Sequence, residues 1–434
     1  MTYEQTLGAR LERYGRFGVD LGLERIEVLL AALGDPHQKV PIVHVAGTNG
    51  KGSVCAYLSS VLTQAGYRVG RYTSPHLVSW CERICINERA IAPNDLLTTL
   101  DQVEAAIDPA KPSPTQFEVI TAAAWLYFAQ QAVDIAVIEV GLGGRLDATN
   151  VSQEPLVTVI TSLSREHWQR LGPTLADIAR EKAGILKPER PAVVGPLPEE
   201  AAGVVRNWAA ELSCPIYWQQ PAQLLEPGWA EFDNSKGQRL KYPLPLPGQH
   251  QRVNSALAIA TLFLLRDQGW TIPDEAIVKG MEQARWPGRL QWVSWIDAQG
   301  QRYKLLIDGA HNPAAAKELR TYVDEVLAGP QSQFSGVTWL MGMLSTKDHA
   351  DIFQALLRPE DRLHLVPVPE HLSASPEELS AIALGLCPQL AQCETHPDLA
   401  AGLVAALGQA DRLTVLCGSL YLIGHFFATE AVQP

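Results

Sequence analysis

Residues Gly47-Thr48-Asn49-Gly50-Lys51-Gly52-Ser53 gather glycines, a lysine and hydroxyls into one short string. Glycines let backbone N–H groups converge on phosphate oxygens without Cβ clashes. Lys51 adds a mobile positive charge, and the start of a following helix favours the same anion. Ser53 or Thr48 offers a hydroxyl to a magnesium ion bridging phosphates. The string departs from Gly-x-x-x-x-Gly-Lys-Ser/Thr because Gly52 separates Lys51 from Ser53. A glycine turn without a ligand has the same glycines; the lysine, the hydroxyls and the flanking strand and helix together favour nucleotide phosphate.

Glu139 comes late in a run of Val, Ile and Ala, where a solvated carboxylate is out of place. A buried carboxylate needs a partner, and a magnesium ion supplies one. His167 follows the next predicted strand and is expected to approach Glu139 across adjacent strand ends. Ser74 follows the strand containing Arg71-Tyr72-Thr73 and reaches the same crevice. Taken singly, His167 is a hydrogen-bonded loop histidine, Ser74 a turn cap before Pro75, and Glu139 a partner for Arg145. Their placement at successive strand ends favours a shared magnesium role. Gly141 to Asn150 reads Gly-Leu-Gly-Gly-Arg-Leu-Asp-Ala-Thr-Asn, a loop able to approach a ligand closely, with Arg145 and Asp147 orienting one another.

These residues need a frame to hold them. Val40 to Ala46 reads as a buried strand, Lys51 to Gln64 as a helix closed by Gly66, and Tyr67 to Tyr72 as the next strand, a βαβ unit. Phe117 to Gln130 is a second helix leading into the strand Asp134 to Val140. Leu156 to Thr161 is a further strand, and Thr174 to Gly184 is helical up to Lys187-Pro188. Strands that end in glycines and polar residues place a ligand crevice at the carboxyl edge of a parallel sheet. Leu224 to Pro247 carries short strand-like pieces, and Asn254 to Arg266 returns to helix. Trp286-Pro287-Gly288-Arg289 reads as a hinge. Beyond it Tyr303 to Ile307, a helix from Ala314 to Val323, Thr338 to Met341 and Leu413 to Cys417 form a second α/β domain.

The 434 residues are 47% hydrophobic and 19% charged, a globular composition long enough for two or three domains. A formal charge of -12 disfavours a nucleic-acid binder, whose footprint is usually basic. It does not oppose an anionic small substrate, since a local Lys/Arg cluster overrides the global field. The seven cysteines show no CxxC pair and no zinc-like spacing, which fits reduced thiols. With neither a signal-peptide pattern nor a long apolar span, a cytoplasmic protein that does not engage membranes is expected.

Taken in order, Gly47 to Ser53, Thr73-Ser74-Pro75-His76-Leu77, Glu139 to Asn150, Glu181-Lys182-Ala183-Gly184-Ile185, His250 to Asn254, Pro287-Gly288-Arg289, Asp308 to Pro313 and Gly418-Ser419-Leu420-Tyr421 resemble the folylpolyglutamate synthase/dihydrofolate synthase family, and more widely the Mur ligases. The resemblance implies an N-terminal P-loop ATPase domain with a mostly parallel sheet, residues 1–287, and a C-terminal Rossmann-like α/β domain, residues 288–434, with the active site between them. It implies that Gly47, Thr48, Asn49, Gly50, Lys51, Gly52 and Ser53 hold ATP phosphates, aided by Asn254, Arg289 and Asp308. Ser74, Glu139 and His167 would bind Mg2+, and K+ or another monovalent cation is a further candidate. Lys182 matches a lysine that is carbamylated in this superfamily. His311 and Ser419 match positions associated with L-glutamate. The pterin or folate is expected near Ser74, Pro75, His76 and Phe117, with Arg145 and Asp147. Lys51, Lys182, Asp308 and His311 are the expected catalytic set. Two departures stand out: Glu166-His167 replaces the usual Asp-His, and Leu344-Ser345-Thr346-Lys347-Asp348 lacks an acidic residue often found where Thr346 stands.

The implied reaction is ADP-forming: a carboxylate of dihydropteroate or a folate takes the γ-phosphoryl group of ATP, and the amine of L-glutamate displaces phosphate from the acyl phosphate. A monomer is expected. The alternatives are another Mur-type amino-acid ligase, a P-loop ATPase or kinase, and an ATP-binding protein without catalysis. The choice between dihydropteroate, folates or both is left open by these residues, with a lean toward both.

Overall fold

The computed structural model describes residues 3–15, 21–234, 237–297, 299–330, 332–408, 411–429 and 432–433. The chain divides into two units, Met1–Pro245 with His250–Arg285, and Leu246–Gln249 with Trp286–Pro434.

The first unit is built on β1 (Ile42–Ala46), β2 (Val69–Tyr72), β3 (Ile84–Ile86), β4 (Arg89–Ala90), β5 (Ile135–Glu139), β6 (Val157–Ile160), β7 (Ala192–Val194) and β8 (Ile216–Trp218). They form one sheet in the order β4-β3-β2-β5-β1-β6-β7-β8. From β2 to β8 neighbouring strands run parallel, while β3 and β4 are antiparallel additions at one edge. The sequence explains this: Ile-Val-His-Val-Ala, Ile-Ala-Val-Ile-Glu and Val-Thr-Val-Ile are buried along their whole length, as strands covered on both faces must be.

The βαβ unit closes around a third strand, and one expectation about adjacency changes. β1 and β2 are parallel, but β5 lies between them and pairs with both, Ile42 opposite Ala136 and Val69 opposite Ile135. Likewise β1 separates β5 from β6, so Glu139 and His167 do not follow adjacent strands. A crossover helix spans more than one strand spacing, and local sequence does not say which later strand fills the gap.

The helix Lys51–Gln64 is buried from Gly52 to Leu62. It lies against the helix Asp274–Gln283, where Ser60 Oγ donates to the Gly280 carbonyl at 2.7 Å. A Cβ at Gly280 would come within 2.4 Å of Val61 Cα. A three-stranded antiparallel sheet, β9 (Gln223–Glu226), β10 (Trp229–Asp233) and β11 (Arg239–Pro243), precedes the helix His250–Asp267. Tyr242 at the end of β11 is hydrogen-bonded to Ser255 of that helix at 2.7 Å.

The second unit contains β12 (Gln291–Ile296), β13 (Arg302–Ile307), β14 (Gly336–Met341), β15 (Arg362–Leu365), β16 (Gln392–Thr395), β17 (Arg412–Cys417) and β18 (Val432–Gln433). Their order is β16-β15-β14-β17-β13-β12-β18. The strands from β16 to β13 are mutually parallel, and β12 closes on β13 in antiparallel register. Trp339, Phe353 and Leu363 are among its fully buried side chains. No helix among the described residues is long and apolar enough to cross a membrane.

Because Gly280 sits against backbone rather than a movable side-chain tip, Gly280→Ala must push its helix away from Lys51–Gln64. Overpacking of this kind costs about 1–3 kcal/mol. Urea denaturation should show that loss, and an unchanged midpoint would mean the helices separate freely.

Candidate functional site

The carboxyl ends of β2, β5, β1 and β6 lie side by side and open onto Ser74, Glu139, the Gly47–Ser53 loop and the Thr161–Ser164 segment. The loop is braced from the β6 side. Thr48 N–H donates to the Ser162 carbonyl at 2.7 Å, and Asn49 N–H to Ser162 Oγ at 3.1 Å. Thr161 Oγ1 in turn donates to the Asn49 carbonyl at 2.6 Å. Thr161, Ser162 and Ser164 were not candidates from sequence; a run of hydroxyl residues at the end of a buried strand is the signal that points to them.

Gly50 caps the helix with φ of 90°. A Cβ there would meet Asn254 Oδ1 at 2.3 Å. Asn254 Nδ2 donates to Gln251 Oε1, and Gln251 Nε2 donates to Ser53 Oγ at 3.2 Å. The helix His250–Asp267 therefore secures Ser53 through Gln251, a further residue that is not among the sequence candidates. It lies inside the His250 to Asn254 string, but only the fold shows which side chain of that turn points at the loop.

Lys51 Nζ folds back to donate to the carbonyls of Gly47 and Thr48, each at 3.1 Å. Lys182 Nζ, almost fully buried, donates to the same Gly47 carbonyl at 2.8 Å. Burial, and then the charge of Lys51, push Lys182 down to about 7. Near neutral pH a substantial fraction of it is thus the uncharged amine, unlike an ordinary surface lysine.

The Gly141–Asn150 loop positions Lys182. Arg145 N–H donates to the Glu181 carbonyl at 2.8 Å, and Asn150 Nδ2 to the carbonyls of Arg145 and Gly184. A Cβ at Gly144 would strike the Glu181 carbonyl at 2.9 Å, and one at Gly184 would strike Arg145 Cβ at 2.3 Å. The two small residues let loop and helix end dock backbone to backbone. Arg145 and Asp147 do not orient one another as expected. The Arg145 guanidinium pairs with Glu181 at 2.8 Å. Asp147 is buried and accepts from Leu142 N–H, Thr149 N–H and Thr149 Oγ1, with burial raising its carboxyl. Its short side chain turns inward to satisfy the loop's own donors.

Glu139 is buried at the end of β5, and its Oε2 accepts from Ser74 N–H at 3.1 Å. This brings together two of the expected magnesium ligands. His167 is exposed, with φ of 51°, and its Nε2 lies 3.9 Å from Glu166 Oε1. Among the described residues no three His, Cys, Asp or Glu ligand atoms converge at Glu139. A carboxylate and a serine hydroxyl are of the hard oxygen type that magnesium prefers.

Beyond Ser74, joined to Pro75 by a cis peptide, His76 lies 4.6 Å from the Trp80 ring and accepts from Arg83 Nε at 2.9 Å. Phe117 stands over Gly141, where a Cβ would meet the ring at 2.3 Å. Tyr72 and Phe117 are 6.3 Å apart. Rings of this kind suit a flat heterocycle.

In the second unit, the ends of β13 and β17 carry the remaining candidates. Asp308 is buried, accepting from Leu290 N–H at 2.9 Å and Ala310 N–H at 2.8 Å. A Cβ at Gly309 would meet the Arg289 guanidinium at 2.0 Å, so the arginine lies directly on this turn. His311 Nδ1 contacts the Gly309 carbonyl at 2.9 Å, which places a proton on Nδ1. Asn312 caps the helix Pro313–Ala328. Ser419 is buried and caps the helix Leu420–Phe427, accepting from Tyr421 N–H.

Known proteins resemble this chain in both units. Residues 45–262 match the Mur ligase middle domain, and residues 291–429 match the dihydrofolate synthetase C-terminal domain. The chain is 39% identical to the dihydrofolate synthase/folylpolyglutamate synthase of Bacillus subtilis, over 70% of this chain and 72% of that one. It is 34% identical to the folylpolyglutamate synthase of Lacticaseibacillus casei, over 97% of each chain. Among solved structures, E. coli FolC in complex with DHPP and ADP superposes with a TM-score of 0.82 at 31% identity, covering 98% of this chain and 96% of that chain. Mycobacterium tuberculosis folylpolyglutamate synthase complexed with ADP and AMPPCP gives 0.84 at 28% identity, covering 99% of each.

Gly50→Ala should displace Asn254 and the loop it supports, because both the left-handed φ and the space at that position require glycine. Calorimetric titration with ADP should then show affinity reduced by roughly tenfold or more, about 1.4 kcal/mol or more. Unchanged affinity would show that the loop binds phosphate without this contact.

Proposed function

The chain belongs to the dihydrofolate synthase/folylpolyglutamate synthase family of the Mur ligase superfamily, and from that membership we propose that one active centre serves both dihydropteroate and reduced folates. It is an ADP-forming acid–amino-acid ligase that uses ATP to join glutamate to dihydropteroate or folate. Support for the dual acceptor comes from the B. subtilis and E. coli relatives, each named as both synthases in one chain.

The reaction proceeds in two transfers. A carboxylate oxygen of the acceptor attacks the γ-phosphorus of ATP, and ADP departs with the electrons of the broken P–O bond. The glutamate amine then attacks the acyl carbon, loses a proton, and inorganic phosphate leaves. Lys51 and the backbone N–H groups of Gly50 to Ser53 hold the phosphates, on a loop that Thr48 and Asn49 anchor to Ser162, and the charge on Lys51 offsets that gathering on the departing ADP. Asn254, Arg289 and Asp308 are assigned to ATP, and His311 and Ser419 to glutamate. Glu139 and Ser74, with His167, would hold magnesium, which when bound neutralises phosphate oxygens; potassium or another monovalent ion is a second candidate. Phe117, His76 and Pro75 form the platform for the pterin. Arg145 and Asp147 act on the acceptor indirectly, by shaping the loop behind it. We place this chemistry in a cytoplasmic monomer, consistent with cysteines that are all free thiols.

The observation that carries the mechanism is the pair of lysines on the Gly47 carbonyl. In a pocket already holding Lys51, Lys182 is better suited to act as a carbamate than as a second ammonium. The ammonium first loses a proton. The neutral amine then attacks the carbon of CO2, forming an N–C bond as one C=O π pair moves to oxygen, and nitrogen releases a second proton. Over the two steps a cation becomes an anion. Burial depresses the lysine, so the reactive form prevails above about pH 7 and is lost as pH falls below it.

Incubation with ATP, magnesium, labelled L-glutamate and either 7,8-dihydropteroate or tetrahydrofolate should yield a product one glutamate heavier in each case. Product from only one acceptor would replace the dual assignment with the narrower synthase. In a separate experiment, bicarbonate should activate enzyme depleted of CO2, and activation should fade below about pH 7. 13C NMR with labelled bicarbonate should show a carbamate that Lys182→Ala lacks; a spectrum without that resonance in the active wild type would refute the modification.

A further inference from the structure

The parallel register of β15 and β16 places His364 directly opposite Glu394. His396 follows two residues after Glu394, on the same side of the extended chain by the two-residue period of a strand. Three potential ligand atoms meet there. His364 Nδ1 is 2.9 Å from His396 Nε2, and Glu394 Oε2 is 3.8 Å from the first and 4.0 Å from the second. These separations are those of three atoms each about 2.1 Å from a common centre, the bond length of zinc to imidazole or carboxylate.

The surroundings suit a cation taken from solution. His364 is buried, His396 half-buried and Glu394 exposed, so the group has a closed floor and an open mouth. Without a cation the two ring nitrogens share a hydrogen bond at 2.9 Å; a cation takes its place when each ring carries its proton on the opposite nitrogen and turns a lone pair inward. Two imidazoles and one carboxylate favour a borderline transition cation over magnesium, which prefers oxygen alone. The ATP chemistry uses none of the three residues.

We propose that His364, Glu394 and His396 form a site for a zinc-class divalent cation that fastens edge strand β16 to β15. An edge strand has neighbours on one side only, and a metal bridging its end to the next strand would hold it in register. Water is expected to complete the coordination, as in three-residue zinc sites generally.

The test uses the full-length protein, stripped with chelator and titrated with Zn2+ in excess Mg2+. Wild type should bind one equivalent that His396→Ala lacks, and Glu394→Gln should bind it more weakly. Zn2+ should raise the thermal midpoint of wild type but not of His396→Ala, a readout independent of ligase activity. Substitution with Co2+ should give d–d bands without a thiolate charge-transfer band. Failure of wild type to bind, equal binding by His396→Ala, or a cobalt–thiolate band would each overturn the assignment. The last outcome would move the ion to a cysteine such as Cys393, the neighbour of Glu394. If His396→Ala does not fold, His396→Gln provides the same comparison.

Discussion

A single backbone carbonyl organises the catalytic half of this molecule. Gly47 O accepts from both Lys51 and Lys182, so two amines share one acceptor in a largely buried pocket. Burial first, and then the neighbouring charge of Lys51, depress Lys182, so the pocket does not hold two full positive charges. What is left is a place that calls for negative charge. In the proposed mechanism, triphosphate would answer that demand from one side and a carbamate on Lys182 from the other. The phosphate loop, the helix end at Glu181–Gly184 and the glycine loop before it must all be held to ångström tolerance for those amines to meet.

Close backbone approach supplies that tolerance. The Gly141–Asn150 segment is less a flexible flap than a docking surface, with its polar side chains used internally: Asp147 on Leu142 and Thr149, Asn150 on Arg145 and Gly184. The phosphate loop is likewise tied to Thr161 and Ser162 on one flank and lies against Asn254 on another. Preorganised donors of this kind need not be ordered when substrate binds, which is how fixed dipoles favour a developing charge over its solvated ground state. The second unit follows the same logic at Asp308, whose carboxylate accepts from Leu290 and Ala310 and so fixes the turn on which Arg289 and His311 are displayed.

The global charge of -12 has little influence at these points. Lysines and helix N-termini set the local field around the phosphate loop, and a screening length of about 8–10 Å keeps distant surface carboxylates from cancelling it. Solubility and substrate recognition are therefore governed by different subsets of the same charged residues.

Much of this was legible in the residues alone. Short runs rich in β-branched residues define β1, β5 and β6, and glycines with a lysine after the second of them mark the phosphate loop, because burial and backbone sterics act locally. The helix Lys51–Gln64 runs between the expected ends for the same reason. Motifs spread from Gly47 to Tyr421 carry the family and the ligase chemistry. Other features depended on contacts between distant segments. β5 enters between β1 and β2 because sheet order is a global packing choice, which strand sequences constrain only weakly. Arg145 takes Glu181 instead of Asp147, and Gln251 reaches Ser53, only because helices remote in sequence are brought alongside. Sequence determined which groups the protein possesses; tertiary structure decided which of them meet, since a hydrogen bond or a shifted amine depends on a few ångströms that no local pattern encodes.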